Sequence, residues 1–473
     1  MSVIQVEQID GRIESLKGKY RIPGVAVAIA KDGKPVYEKG FGHRNIRQEQ
    51  PVTMDTVFGV ASITKSFVCV AIMQLQEAGK LNVHDPVVDY LPAFQVKNGT
   101  VDSITIHHLM THTSGLPPLP TLFYAGRESR MKDPSLADYP GLKFQSGDDG
   151  ESIETYDQLL RFISQLDFDL LGEPGTEFSY SNDGYAMLGM IIEAVSHETF
   201  EGYLRKHVFE PLQMNHSCVL IDDLKNSDEV TMLYSKRKTE EGEEVYEAPI
   251  WWDSPAMRGA GAVKSTVRDL LKYAEIYRTN GISGGRRILS EASVEAMTSC
   301  YIECSPGQFY GYGLMVTPDF FGSKLIQHSG NSKAIASHMC IIPERGITGA
   351  VLTNLAGVPA PTILEGAINL MEGREFDAFP VEAGGHSYTD RELSGYTGRY
   401  VSSEGMELAV AQDGTKLLFE VPGEEQPIQA AALSEDVFLI YVRDQAEIVQ
   451  FKWKDGQVER VFFHHRQFPK TKS

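Results

Sequence analysis

Apolar residues recur at helical spacing over the first twenty positions, where Val3, Ile4, Val6, Ile9, Ile13 and Leu16 alternate with Gln, Glu, Asp, Arg and Lys. That spacing predicts an amphipathic helix over residues 1–20. Two extended runs follow, at 25–30 and 35–42, around the turn signal Asp32-Gly33, and predict a β-hairpin. Helical patterns dominate from 62 to about 207, broken by Pro- and Gly-rich turns such as Thr113-Ser114-Gly115-Leu116-Pro117-Pro118. Strands are expected again near 324–327, 336–342 and 349–354, followed by a helix at 361–371. Strands at both ends with helices between them predict a mixed α/β layer fold in which the last strands pair with the first hairpin.

The pattern changes after Asp377-Ala378-Phe379-Pro380-Val381-Glu382-Ala383-Gly384-Gly385, which reads as a linker. Beyond it, short alternating runs at 417–421, 437–442 and 448–453 are punctuated by Asp413-Gly414 and Asp455-Gly456, and predict a small antiparallel β-barrel. The expected organisation is a first domain over 1–376, a linker over 377–390 and a barrel over 391–473. A chain of 473 residues exceeds what one core usually serves.

With 42% hydrophobic and 23% charged residues the composition is that of a globular protein, and a net charge of -20 opposes binding to nucleic acid or to an anionic membrane. No apolar run is long enough for a membrane span. The first residues show no basic, apolar-centred leader, and the five cysteines are scattered, so a reducing, cytoplasmic setting is expected. No metal site or cofactor is expected: the pair Cys300 and Cys304 has no second pair, and no glycine fingerprint for a nucleotide precedes a helix.

The chemistry concentrates at Ser62-Ile63-Thr64-Lys65. On a helix, positions three apart share a face, so Lys65 is placed to take the Ser62 hydroxyl proton. The apolar run from Phe67 to Leu75 predicts a helix buried on nearly all sides, where a lysine loses hydration and becomes a better base. The bare pattern also occurs at Ser129–Lys132 and Ser235–Lys238, but without an apolar helix behind it, and a serine at such a place is otherwise a helix cap. Two further features accompany it: Tyr180-Ser181-Asn182, ahead of a helix expected near Gly184, and His328-Ser329-Gly330, expected at the end of a strand.

Together these motifs resemble the serine β-lactamase and penicillin-binding protein superfamily, in particular its class C-like branch of esterases, D-aminopeptidases and D-peptidases. The resemblance runs over roughly residues 5–372, with supporting matches at 58–62, 109–116, 265–270 and 310–314. The C-terminal part resembles the lipocalin-like barrel of some members through Leu393-Ser394-Gly395-Tyr396-Thr397-Gly398-Arg399-Tyr400. The resemblance implies a β-lactamase-like fold, an antiparallel sheet flanked by helices with a helical subdomain. It implies Ser62 as nucleophile, Lys65 and Tyr180 as the proton-handling pair, Asn182 as an orienting amide, and the backbone N–H groups of Ser62 and Asn331 as the oxyanion hole.

His328 departs from the many members that carry lysine there. Histidine is mostly neutral at pH 7, so a substrate carboxylate is held less firmly, which favours esterase, amidase or D-peptidase activity over efficient β-lactam hydrolysis. Gly330, Phe123, Tyr124, Tyr139, Trp251 and Trp252 are candidates to line the cleft, the aromatic ones from insertions that are long for connecting loops. The expected function is a cofactor-free serine hydrolase acting on small amides, D-residue peptides or esters, with self-association compatible. The alternatives are a slow β-lactamase or D,D-carboxypeptidase, and a non-catalytic binding or assembly protein on the same fold.

Overall fold

The computed structural model describes residues 2–138, 150, 152–225, 227–240, 242–380, 386–402, 406–424 and 426–471. Its first helix, α1 (Val3–Lys19), starts at Ser2, whose hydroxyl accepts from Gln5 N while the Gln5 side chain returns to the Ser2 backbone. This reciprocal cap fixes the helix start. The hairpin follows as β1 (Gly24–Lys31) and β2 (Lys34–Asn45), with the short β3 (Gln50–Pro51) beyond.

Six more strands complete the main sheet: β4 (Ile302–Ser305), β5 (Gln308–Tyr310), β6 (Met315–Thr317), β7 (Leu325–Ser332), β8 (Ile335–Ile342) and β9 (Ile347–Thr353). Their order is β4-β5-β6-β7-β8-β9-β1-β2-β3, antiparallel throughout. The expected pairing of late strands with the first hairpin holds, since Val25 faces Thr353 and Lys31 faces Ile347.

β1 is buried on both faces, so its side chains alternate in size rather than polarity. Val25, Val27 and Ile29 pack with Ile9 and Ile13 of α1 and with Ile363, Leu364 and Ala367 of a late helix. Ala26, Ala28 and Ala30 face the other way, where their small volume admits the long helix α2 (Thr64–Glu77) and its neighbours close to the sheet. Two other helices on that side position the site: α3 (Asn182–Ser196) and α4 (Val267–Arg278). The late helix, α5 (Ala360–Met371), closes the opposite face with α1.

The C-terminal residues form their own core around Tyr400, Leu408, Phe419, Ile440, Val449, Phe451 and Val461. Two sheets enclose it, one of Gly398–Val401, Glu407–Asp413, Lys416–Glu420 and Ile428–Gln429, the other of Ala431–Ser434, Val437–Val442, Gln445–Lys454, Gln457–Phe463 and Arg466–Pro469. The C-terminal antiparallel sheets are present as expected, and among the described residues their two ladders do not join into one closed cylinder. At one seam the strand of Ile428 has only two residues and pairs with Leu418 and Phe419 alone, while the other seam is the single bridge from Tyr400 to Lys470. Alternating strands specify a two-faced sheet, but closure also needs strands long enough to pair across both seams.

Other local differences concern element ends. His328 lies within β7, which continues to Ser332, and α3 begins at Asn182 rather than Gly184. Cys304 is on β4 and Cys300 precedes it, so the two do not share a helix face. Tyr139, and residues 381–385 of the expected linker, fall outside the described residues.

Phe67 shows what packs α2 in place. Its ring stacks on Tyr273 of α4, with centroids 3.7 Å apart, and meets the edge of Phe209 at 5.8 Å. Phe67→Ala leaves a cavity that we expect to cost about 3–5 kcal/mol. Calorimetry should show a clear fall in the melting temperature of the main-body transition, and an unchanged transition would contradict this packing role.

Candidate active site

Eleven of the fourteen residues of α2 are buried, among them Lys65, which no water reaches. Ser62 sits just ahead of the helix, in a turn formed by Ala61–Ile63, and remains partly exposed. It caps nothing with its side chain, so the reading of Ser62 as an ordinary helix cap finds no support. Ala61 has a φ of 45°, a left-handed conformation that costs a residue with a β-carbon of order 1–3 kcal/mol. Its surroundings hold it there: Val60 N donates to Val263 O, and Ser337 Oγ donates to Val60 O at 2.8 Å.

Lys65 Nζ lies 3.1 Å from Ser62 Oγ, 2.9 Å from Asn182 Oδ1 and 2.7 Å from Ala260 O. These three oxygens serve both protonation states. An ammonium donates to all three. A neutral amine keeps two N–H donors for Asn182 and Ala260, whose acceptors are fixed, and turns its lone pair to the Ser62 hydroxyl. The same cage therefore suits lysine in either protonation state. Nζ also stands 4.8 Å from the centre of the Tyr180 ring.

Tyr180 and Asn182 are set by the cap of α3. Ser181 Oγ accepts from Gly184 N, which starts the helix at Asn182 and leaves Tyr180 two residues ahead of it, just before the cap. His112 holds this segment from the side: its Nδ1 accepts from Ser181 N at 3.0 Å, its carbonyl accepts from Ser179 N, and its ring lies 4.2 Å from that of Tyr180.

His328 is buried on β7. Its Nδ1 lies 2.6 Å from Ser329 O, which can only accept, so Nδ1 carries the hydrogen and Nε2 accepts from Tyr310 Oη at 3.1 Å. Burial first, and then the charge of Lys65, push its pKa down to about 3. The Tyr310 hydroxyl, itself buried, is held far above its ordinary range and remains a donor. His328 is thus a neutral ring with both nitrogens engaged.

Gly330 has a steric function that its sequence context does not reveal. A β-carbon there would collide with Val60 O and Ser337 Oγ and press on Ala61 Cβ, so only glycine lets β7 run against the turn of Ser62. Asn331 follows on the same strand, exposed, paired with Ala336. The aromatic candidates divide. Tyr124 turns onto Phe162, ring centres 5.0 Å apart, and Phe123 is half-buried on the same short helix, Thr121–Tyr124. Trp251 and Trp252 border a small cleft with Gly59, Ala262 and Ser332.

Three groups escaped sequence reasoning. Tyr310, read only as part of a supporting match, supplies the hydroxyl to His328. Lys333 makes a buried ion pair with Asp133 and donates to Ile250 O at 2.6 Å, while Trp252 Nε1 donates to Asp133 Oδ2 at 2.7 Å. This clamp ties both insertions to the end of β7, and no local signal announces it. Arg466, from the last strand of the C-terminal sheets, places its guanidinium 4.5 Å from the centre of the Tyr180 ring.

A partly exposed serine beside a buried lysine, with a tyrosine and an asparagine at the head of a helix and a β-strand along the other side, is the arrangement expected of the β-lactamase and penicillin-binding protein superfamily. The model described as Beta-lactamase matches residues 9–368, and the chain belongs to that family. Penicillin-binding protein 4 of Amycolatopsis lactamdurans is 28% identical over 353 residues, covering 72% of this chain and 84% of that protein. Protein flp of Staphylococcus aureus (strain MW2) is 27% identical over 367 residues, 76% of this chain and 65% of its own length. Among solved structures, the octameric penicillin-binding protein homologue from Pyrococcus abyssi is 31% identical with a TM-score of 0.69, over 98% of this chain and 100% of that one. SurE shares the fold, with a TM-score of 0.67 at 20% identity over 99% of both chains.

Two expectations follow. A free histidine takes up its proton near pH 6.5, whereas folded His328 does so only at about 3. Between those values the unfolded chain binds more protons, so this contribution to stability is complete above pH 6.5 and falls as the pH is lowered towards 3. Thermal melts from pH 7 to 4 should fall less steeply for His328→Asn than for the parent, and parallel slopes would contradict a buried neutral ring. Gly330→Ala should push β7 from the Ser62 turn and slow acylation of Ser62 by about 100-fold or more, measured with a fluorophosphonate probe on protein whose melting is checked.

Proposed function

We propose that this protein is a serine hydrolase that forms an acyl-enzyme on Ser62 and cleaves amide or peptide bonds of small substrates, those with D-residues foremost, or esters. The observation that carries the reading is the Lys65 cage, in which Ser62 Oγ, Asn182 Oδ1 and Ala260 O surround one buried nitrogen.

In this reading the Ser62 proton passes to the Lys65 and Tyr180 pair, which titrates as a unit, and Oγ attacks the substrate carbonyl. The resulting oxyanion is received by the backbone N–H groups of Ser62 and Asn331. Removing a donor of that kind costs about 10²–10³ in rate. The same proton then leaves with the amine or alcohol, and water repeats the sequence to release the acid. Asn182 orients Lys65 and reaches the substrate amide.

The substrate class is supported by His328. A neutral ring with both nitrogens occupied gives no fixed cation at the place where many relatives carry lysine, which disfavours rapid β-lactam turnover. A D,D-carboxypeptidase-like or slow β-lactamase activity is the second reading, favoured by relatives described as penicillin-binding proteins. A purely binding or assembly function is opposed by the presence of every polar group the chemistry uses. The octamer belongs to the Pyrococcus protein. For this chain self-association is a proposal that light scattering tests.

The deciding experiment is intact-mass spectrometry of the parent and Ser62→Ala after exposure to p-nitrophenyl esters, D- and L-amino-acid p-nitroanilides and penicillin G, with chromogenic turnover in parallel. We expect turnover of esters or D-anilides, with any adduct confined to Ser62 and absent from Ser62→Ala. A stable penicillin adduct without turnover would select the second reading, and an adduct persisting in Ser62→Ala would move the nucleophile elsewhere.

A further inference from the structure

His328 leaves one face of β7 to meet Tyr310, and successive side chains on a strand point to opposite faces. Its neighbours Gln327 and Ser329 therefore leave the other face, where they line a cavity of about 450 Å³. Ser62, Lys65, Tyr180 and Asn182 take no part in that lining. The walls come from both halves of the chain. The main sheet supplies Gln327, Ser329 and His338, α5 supplies Glu365, and the C-terminal strand Gln445–Lys454 supplies Glu447. Phe320, Phe376 and Tyr441 add aromatic surface. A concave space of this size, apolar in the main with a few convergent polar groups, suits a small molecule.

The polar groups of this cavity are unmatched. Gln327 is only 9% exposed, yet among the described residues its amide makes no hydrogen bond through either end. A buried amide without a partner is costly, and a half-turn of its end group exchanges donor for acceptor, so a polar ligand can satisfy it. His338 Nδ1 meets Ser329 Oγ at 2.8 Å, but Nε2, 3.2 Å from Glu365 Oε1, is not aligned for a hydrogen bond. Glu447 Oε1 accepts from Gln445 Nε2 at 2.7 Å and lies 3.4 Å from His464 Nδ1, whereas among the described residues Oε2 makes no hydrogen bond. Burial holds the nearby histidines neutral, with pKa values of about 3 for His464 and about 4 for His465, and burial alone pushes Glu447 up to about 8. Carboxylates line the cavity at Asp319, Glu365, Asp377, Asp444 and Glu447, while no lysine or arginine does. Asp319 accepts from Gly322 N and Asp444 pairs with Lys19, which leaves Glu365, Asp377 and Glu447 without a lysine or arginine partner among the described residues.

We propose that this cavity binds a small organic cation, a primary ammonium on an apolar body, with the ammonium received by Glu365, Glu447 and the Gln327 amide and the body laid against the aromatic wall. Charge balance carries the assignment. An anion would meet carboxylates without a cation to hold it, and a neutral molecule would leave those carboxylates uncompensated in a space shielded from water. The site lies behind β7 and is independent of any reaction at Ser62. An ammonium pairs fully only with ionised Glu447, so the ligand should bind more tightly as the pH rises towards and past 8.

The test is titration calorimetry of the full chain at pH 8.5 with three ligands of one shape: 4-phenylbutylamine, 4-phenyl-1-butanol and 4-phenylbutanoate. A hydrogen-bonded charge pair is worth roughly 10- to 100-fold in affinity. The amine should bind more tightly than the alcohol by that factor, and the butanoate should bind most weakly. Amine affinity should fall about tenfold or more from pH 8.5 to 6.5 in the parent and stay level in Glu447→Gln. Glu365→Gln should weaken the amine and leave the alcohol unchanged. Both variants are compared with the parent in thermal melts, and the three-ligand comparison on the parent needs no variant. Failure of the amine to bind, equal affinity for amine and alcohol, or preference for the butanoate would each overturn the proposal. Amine binding that ignores both glutamate substitutions would overturn it too, since the amine would then sit elsewhere.

Discussion

Lys65 Nζ sits among three oxygen atoms at the buried start of α2, and the neighbouring structure is arranged around that nitrogen. A buried cation without partners costs several kcal/mol, so each of its acceptors has to arrive from a different element at the right distance. Ser62 comes from the turn ahead of the helix, Asn182 from the first position of α3, and Ala260 from the short helix Arg258–Gly261. The small side chains of β1 let α2 lie close to the sheet, and the stacking of Phe67 on Tyr273 fixes its depth. Moving any of these elements would separate the amine from the hydroxyl.

A second constraint acts on Tyr180. His112 holds the segment from the helical side, and the C-terminal hairpin holds it from the other through Phe178, Glu177 and Arg466. The two halves are also joined away from the cleft, where Lys19 pairs with Asp444 and Arg443 donates to Gly357 O. The cleft is thus built by a body that sets Ser62, Lys65 and Asn182 and an appended sheet that packs beside Tyr180. Charge follows the same division: the strand of His328 is electrically neutral, and the cation arrives with the hairpin.

What sequence could reveal follows from the range of the contacts involved. Ser62 and Lys65 are legible because their relation is a matter of helical spacing, and Asn182 through the Tyr180-Ser181-Asn182 motif, although the helix it opens was expected to start only near Gly184. His328 is visible as a departure from lysine, but its neutral state depends on Tyr310 and on burial, which only the folded chain supplies. Trp252 looks like a cleft wall in sequence, yet its indole N–H serves the Asp133 and Lys333 pair, a tertiary arrangement without a local signature. Strand alternation revealed the C-terminal sheets but not how their ladders meet, because that depends on pairing between strands far apart in order. Arg466 was invisible for the same reason: nothing beside it in the chain resembles what it touches.

The position of the hairpin also imposes an order on biosynthesis. Every strand of the main sheet has been made by Thr353, so the Ser62, Lys65 and Asn182 group can assemble while the last sheets are still being translated. Tyr180 acquires its neighbour only when Arg466 has been added. A nascent chain, or one cut short before the hairpin, therefore carries that group without the contacts the hairpin makes with residues 177–180. The surroundings of Tyr180 are thus completed last, and they depend on the integrity of the C-terminal hairpin.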